Sequence, residues 1–255
     1  MSVNGRLEKI KDFINETGEA KLSQLESMFP GFSSMTIRRD LEKLETLGEI
    51  IRTRSGAKSI AHLSRLNEAL YTERINENIT EKINIATKTH ELITQGSSIF
   101  LDTGTTVTAL AKLLKSDKLF VVTAAPNIAL ECVKNLDISV FMVGGQLSSR
   151  NLSVSGINAL SFLDQINIDT AVMATSGFTK INGFTCGNYD ESQIKRRVIE
   201  KATKVIMLMD NSKYGKGLPF TFAKLPDIDI IVTDDKINKE FLKEIKKYKE
   251  IEVIL

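Results

Sequence analysis

From Thr80 onward, short apolar runs recur with helix-patterned stretches between them, and few architectures accept that alternation. The runs are Ser98–Leu101, Phe120–Thr123, Val140–Val143, Thr170–Ala174, Val205–Met209, Ile228–Val232 and Glu252–Ile254. Unbroken apolar strands are buried on both faces, and a strand followed by a helix returns parallel to its predecessor, so the pattern predicts an α/β fold with a mostly parallel sheet covered by helices. Ligands of such sheets sit beyond the carboxyl ends of the strands. The residues just after each run are therefore the candidates for a site.

After the first run comes Asp102-Thr103-Gly104-Thr105-Thr106, opening a helix expected to reach about Leu114. Gly104 permits close backbone approach, Thr105 and Thr106 offer hydroxyls, and the helix start supplies free N–H groups, which together suit a phosphate. The same residues also suit a tight turn and N-cap with no ligand. Gly144-Gly145 follows the third run, and Asp210-Asn211-Ser212-Lys213-Tyr214-Gly215 follows the fifth. Lys213 would supply countercharge to a phosphate, and the acids could hold sugar hydroxyls. Glu191 and Lys195 stand four apart on a helix, a spacing that serves either a site or a helix-stabilising ion pair.

The first sixty residues follow a different period. Leu7, Ile10, Phe13 and Ile14 mark one face of a helix that Thr17-Gly18 ends; Leu22, Leu25, Met28 and Phe29 mark a second, broken by Pro30-Gly31. Ser33 or Ser34 can cap a third, Ser34 to Leu47, whose buried stripe is Ile37, Leu41 and Leu44 and whose stop is Gly48. Its other face carries Thr36, Arg39 and Lys43, with Arg38 to one side. Residues Glu49 to Ile60 then read as a hairpin with a Ser-Gly turn and basic arms. Three short helices and a hairpin make a winged helix-turn-helix, in which the third helix enters the major groove of DNA. The candidate DNA contacts are Ser33, Ser34, Thr36, Arg38, Arg39, Lys43, Arg52, Arg54 and Lys58. On periodicity alone the same arginines could be a solvated face used for protein contacts.

At 255 residues the chain exceeds one typical domain. The reading is a winged helix-turn-helix at 1–60, a helical linker at 61–80 and a sensor and oligomerisation domain at 81–255. Bulk charge does not announce a nucleic-acid binder: the net is +2, and residues 1–60 hold ten Lys/Arg against nine Asp/Glu. Distribution could, since DNA attracts a basic face whatever the opposite face carries. The start lacks the apolar core of a signal peptide, and no run is long enough to span a bilayer, so the expected location is cytoplasmic. Cys132 and Cys186 are far apart and lack metal-ligand spacing, so no disulfide, metal or other cofactor is expected.

Thr36-Ile37-Arg38-Arg39-Asp40-Leu41, then Leu44, Gly48 and the basic hairpin, resembles the DNA-binding signature of the DeoR family of bacterial transcription regulators. Glu81-Lys82 before Ile85-Ala86, Asp102 through Thr106, Gly144-Gly145, Gly183-Phe184-Thr185, Glu191, Lys195 and Asp210 through Gly215 follow the order of DeoR sensor domains. That resemblance covers essentially the whole chain. It implies a fold similar to sugar-phosphate isomerases and an effector site formed by Asp102, Gly104, Thr105, Thr106, Thr123, Gly144, Gly145, Thr185, Glu191, Lys195, Asp210 and Lys213. There are three departures: a turn one residue longer at Phe29 to Ser33, Arg54-Ser55-Gly56-Ala57 where His-Gly-Gly-Ala is common, and Thr123-Ala124-Ala125 where Thr-Asn-Ser is common.

The reading that follows is a repressor of a carbohydrate-utilisation operon, a dimer or tetramer on double-stranded operator DNA, released by a phosphorylated sugar. Two alternatives stand beside it: an isomerase-like enzyme using the strand-end acids and lysines, and a DNA-binding protein whose second domain only oligomerises.

Overall fold

The amino-terminal helices end where their capping residues stop them. Helix α1 (Val3–Thr17) closes with the Thr17 hydroxyl donating to the Phe13 carbonyl, strand β1 (Glu19–Lys21) leads into α2 (Leu22–Met28), and Ser33 caps α3 (Ser34–Thr46) by accepting from the Thr36 N–H. The computed structural model describes residues 3–17, 19–59, 68–115, 117–248 and 250–255. Gly18 and the first part of the expected linker thus lie outside the described residues. The chain divides into two units, Met1–Asn67 and Glu68–Leu255.

In the first unit, Ile10, Ile14, Leu25, Ile37, Leu41 and Leu44 bury the faces that periodicity assigned to them. Each such side chain contributes about 1.5–3 kcal/mol. Met28 does not join them: it is 41% exposed. Strands β2 (Ile50–Thr53) and β3 (Gly56–Ser59) form the hairpin, and β1 adds antiparallel to β3, giving a three-stranded sheet where two strands were expected. The turn is Arg54-Ser55. Gly56 starts β3 instead, and it must be glycine because a Cβ there would lie 1.9 Å from the Ala20 carbonyl oxygen of β1.

The second unit opens with a short helix, α4 (Tyr71–Arg74), and continues with α5 (Ile79–His90). Then come β4 (Ser98–Leu101), α6 (Thr105–Ala111), β5 (Leu119–Thr123), α7 (Pro126–Cys132) and β6 (Ile138–Met142). A hairpin, β7 (Gln146–Ser148) and β8 (Ser153–Ser155), precedes α8 (Ile157–Asp164) and β9 (Ile168–Ala174). Strands β10 (Gly177–Thr179) and β11 (Gly183–Cys186), helix α9 (Tyr189–Lys201) and β12 (Ala202–Met209) follow. The unit ends with β13 (Phe220–Ala223), β14 (Ile230–Thr233), α10 (Lys239–Ile245) and β15 (Glu252–Ile254).

All seven apolar runs are strands of one sheet, ordered β15-β14-β12-β9-β4-β5-β6 with every pairing parallel. Helix α6 is shorter than expected, ending at Ala111. Two antiparallel additions were not foreseen, because their strands are too short to show a period. The sheet β10-β11-β13 is held by Phe178 and Phe184, both fully buried with ring centroids 4.8 Å apart. The hairpin β7-β8 is held close to the Gly144-Gly145 turn. These additions matter to function because they carry Ser176, Gly187 and Asn151 to the ends of the parallel strands.

Candidate functional site

On the first unit, the exposed side of α3 carries Arg38, Arg39 and Lys43, and the wing turn carries Arg54. Among the described residues none of these four has an acidic partner. The other two expected cations are engaged: Arg52 reaches Glu42 and Glu45, each at 3.4 Å, and Lys58 reaches Glu19 at 3.6 Å. Arg38, Arg52 and Arg54 line a notch between α3 and the wing with Leu22, Leu41, Thr53 and Gly56. Ser33 and Thr36 share a hydroxyl–hydroxyl contact of 3.0 Å, while Ser34 donates to Glu26. Asp40, in the motif between Arg39 and Leu41, points the other way and pairs with Arg6, both buried, with Arg6 also over the Phe32 ring. Asp40 thereby ties α3 to α1, a role that periodicity does not disclose.

On the second unit, a cleft at the carboxyl ends of the strands is lined by Glu68, Arg74, Thr103 through Thr106, Ala174 through Ser176, Glu191, Lys195 and Lys213. Its floor is a buried charge cluster. Asp102 Oδ2 accepts from Lys195 Nζ and, at 2.9 Å, from the Ala174 N–H; Glu191 Oε1 lies 3.2 Å from the same Nζ. Thr103 donates to Glu191 Oε1 at 3.1 Å, and Asn151 donates to its other oxygen. Burial pulls the Lys195 ammonium down, but Asp102 and Glu191 outweigh it and hold the group above its ordinary range. For Glu191 burial prevails, with Lys195 opposing and Glu68 and Asp102 assisting, so its carboxyl stands above the usual range. The four-residue spacing of Glu191 and Lys195 thus marks a buried contact rather than a surface ion pair.

Gly104, at φ +135, caps α6, and its carbonyl accepts from the Thr108 hydroxyl at 2.9 Å. At the far wall, Asp210 accepts from the Ser212 N–H and lies 4.0 Å from Lys213 Nζ, while its Oδ2 has no hydrogen-bond partner among the described residues. Burial pulls the Lys213 ammonium below its ordinary range, with Asp210 opposing. Lys82, whose ammonium donates to the Arg74 carbonyl, is pulled down to about 8 by burial and then by Lys213.

Not every residue named from sequence lines the cleft. Thr123, fully buried, donates to the Leu101 carbonyl and braces β5 to β4. Thr185 donates to the Gly177 carbonyl and accepts from the Leu218 N–H, closing the small sheet. Gly145, at φ +153, packs so closely on β8 that a Cβ would lie 2.3 Å from the Ser155 carbonyl oxygen; Gly144 precedes it in the same turn. Conversely, Glu68, Arg74, Ser176 and Asn151 belong to the site and carried no local signal.

A small DNA-reading head and an α/β body with a polar cleft, in one chain, define a transcription regulator with a sensor domain. Residues 6–62 match the DeoR-like helix-turn-helix domain and residues 77–235 match the DeoR C terminal sensor domain. The chain belongs to the DeoR family of helix-turn-helix transcriptional regulators. It is 32% identical to the HTH-type transcriptional regulator GlpR of Haloferax volcanii over 94% of this chain and 93% of that one. It is 31% identical to the HTH-type transcriptional repressor GlcR of Bacillus subtilis over 92% and 90%, and 31% identical to the glycerol-3-phosphate regulon repressor of Escherichia coli over 91% and 89%. These relatives are regulators, and the chain is read as one rather than as an enzyme. Ribose 5-phosphate isomerase A of Methanocaldococcus jannaschii is similar at a TM-score of 0.41 and 17% identity over 55% of this chain and 56% of that one, too slight a likeness to carry function. Among the described residues no helix is long and apolar enough to cross a membrane.

Proposed function

We propose that this chain is a repressor of a carbohydrate-utilisation operon, that it grips operator DNA through α3 and the wing as a dimer or tetramer, and that a phosphorylated sugar releases it. The observation that carries this reading is the cleft: Thr103, Thr105 and Thr106 line it together with Arg74 and Lys213, while Glu191 stands beside Lys195 on the floor. Hydroxyls and cations suit a phosphate, and carboxylates suit sugar hydroxyls. Arg38, Arg39, Lys43 and Arg54, exposed and without an acidic partner among the described residues, suit a phosphodiester backbone and base edges. Effector and operator are linked, so whatever factor the sugar phosphate takes from operator affinity, the operator takes from sugar-phosphate affinity.

The test is a thermal-shift panel of triose, pentose and hexose phosphates, followed by operator mobility shift with the best of them. A ligand that binds only the folded chain raises its melting temperature by mass action. The reading expects one or a few phosphorylated sugars to do so and to release DNA. Stabilisation by none of them, or turnover of one of them, overturns it.

A further inference from the structure

The cleft holds one negative group whose presence the charge cluster on its floor does not require. Glu68 is the first residue of the second unit, is 7% exposed, and reaches into the cleft from the chain segment that leads to α4. Its Oε1 accepts from the Ser176 hydroxyl at 2.5 Å and lies 2.9 Å from an Arg74 guanidinium nitrogen, and its Oε2 accepts from the Gly187 N–H at 3.3 Å. Gly187 is shaped to that arrangement, since a Cβ there would lie 2.8 Å from the Glu68 Cβ. A guanidinium, a hydroxyl and a backbone N–H converging on one carboxylate are the donors that would receive a phosphate group.

We infer that Arg74, the Ser176 hydroxyl and the Gly187 N–H form an anion seat that Glu68 fills in the free protein and that the effector's phosphate takes over. The inference rests on reading the cleft as a sugar-phosphate site. A dianion with three oxygens outcompetes a monoanionic carboxylate for the same donors, and Glu68 then moves outward into water. The residues around the seat keep it in place during the exchange. Tyr71, three residues further on, is pinned by its N–H on the Arg150 carbonyl and by its hydroxyl between Thr108 and Asn127, each at 3.0 Å. Arg150 also donates to the Glu68 carbonyl at 3.1 Å. The backbone from Glu68 to Tyr71 is therefore held at both ends, and only the Glu68 side chain is exchangeable.

The position of Glu68 gives the exchange a use. Glu68 is the first residue of the second unit, so the exchange takes place where the chain passes from the DNA-binding unit into the sensor. Release of Glu68 is the event by which the occupied cleft is felt at the head.

The experiment titrates the full chain with inorganic phosphate by calorimetry and with operator DNA by mobility shift, for wild type, Glu68→Gln, Arg74→Gln and the double variant, each first shown folded by circular dichroism. Glu68→Gln keeps the shape but removes the competing charge; phosphate affinity is expected to rise about tenfold, the worth of one charge-assisted contact. Arg74→Gln lowers phosphate affinity by a similar factor or more, and the double variant behaves as Arg74→Gln alone. Without any phosphate, Glu68→Gln weakens operator binding severalfold. Phosphate affinity within twofold of wild type in Glu68→Gln overturns the seat, and raised phosphate affinity with unchanged operator affinity overturns the coupling. Tighter operator binding in Glu68→Gln would support the seat and its coupling while overturning release as the effector's action. Failure of both wild type and Glu68→Gln to bind phosphate, in a chain that the sugar-phosphate panel still stabilises, overturns the seat alone, whereas stabilisation by no phosphorylated sugar overturns the sugar-phosphate reading and this inference with it.

Discussion

The two units treat charge in opposite ways. The first leaves Arg38, Arg39, Lys43 and Arg54 exposed and without acidic partners among the described residues, and it buries the Arg6–Asp40 pair, which holds α1 to α3. The second buries Asp102, Glu191 and Lys195 together at the ends of its strands, with both carboxylates on the one ammonium. A polyanion as large as DNA binds by displacing counterions from solvated cations, which need no preformed partner. A small ligand must be held by groups already desolvated and aimed, and such groups are tolerable only when paired. The same residue types are therefore dispensable to the fold in one unit and indispensable in the other.

The comparison breaks most visibly at Asp102. Replacing it with Ala leaves the Lys195 ammonium buried beside Glu191 alone and removes the acceptor of the Ala174 N–H, at a cost of about 3–5 kcal/mol for an ion left unpaired in the interior. Thermal denaturation should show it directly. A melting temperature unchanged from wild type would mean that the cleft charges are as dispensable as those of the head. Asp102 braces β4, β9 and α9 through the Ala174 N–H and the Lys195 ammonium.

Lys213 stands at the cleft wall, half-compensated by Asp210, and Lys213→Ala should cost the effector about 1.5–3 kcal/mol, a ten- to hundredfold loss in affinity by calorimetry. Operator binding without effector should survive. Equal loss of both activities would show that the two units do not divide their labour as proposed.

On the head, Arg39→Ala and Arg38→Ala should each cost operator binding about 1–3 kcal/mol where the contact is base-specific, while stability changes by no more than about 0.5 kcal/mol. Arg52→Ala should cost less, because Glu42 and Glu45 already engage that guanidinium. Mobility shift at one fixed salt concentration ranks the three, and a ranking with Arg52 first would reverse the assignment of α3 as the reading element.

The smallest effect is a pH dependence at Lys82. The unfolded lysine titrates near 10.5 and the folded one at about 8, so in that interval the unfolded chain binds the extra proton and rising pH favours the fold. Relative to Lys82→Met, wild type should gain about 1 kcal/mol between about pH 8 and pH 9, read as a melting-temperature difference. A difference that shrinks over this range would contradict the burial of the ammonium.

The periodic signals were legible because they are local. Ile37, Leu41 and Leu44 declare a helix face by their spacing alone, and Phe100 or Val172 declare a strand buried on both sides because their neighbours are apolar too. Gly145 and Gly56 were visible as glycines but not as close contacts, since the atoms that exclude a side chain, on Ser155 and Ala20, come from other strands. Thr123 and Thr185 were visible as hydroxyls after or within strands, but nothing local says that carbonyls of neighbouring strands take them up.

What the sequence by itself determined is the alternation that makes a seven-stranded parallel sheet, the three helices and hairpin of the head, and the loop at Asp102 that begins the cleft. Only the tertiary structure decided which charges are buried and with whom. Asp102 meets Lys195 ninety-three positions later, and Glu68 meets Ser176 at a separation of 108. A carboxylate's partner depends on how strands are ordered and crossed, and chain-local spacing holds no record of that order. The physical reason is that hydrophobic periodicity acts between neighbours a turn or a pleat apart, whereas the energy of a buried charge is set by whatever the whole fold brings to within a few ångströms of it.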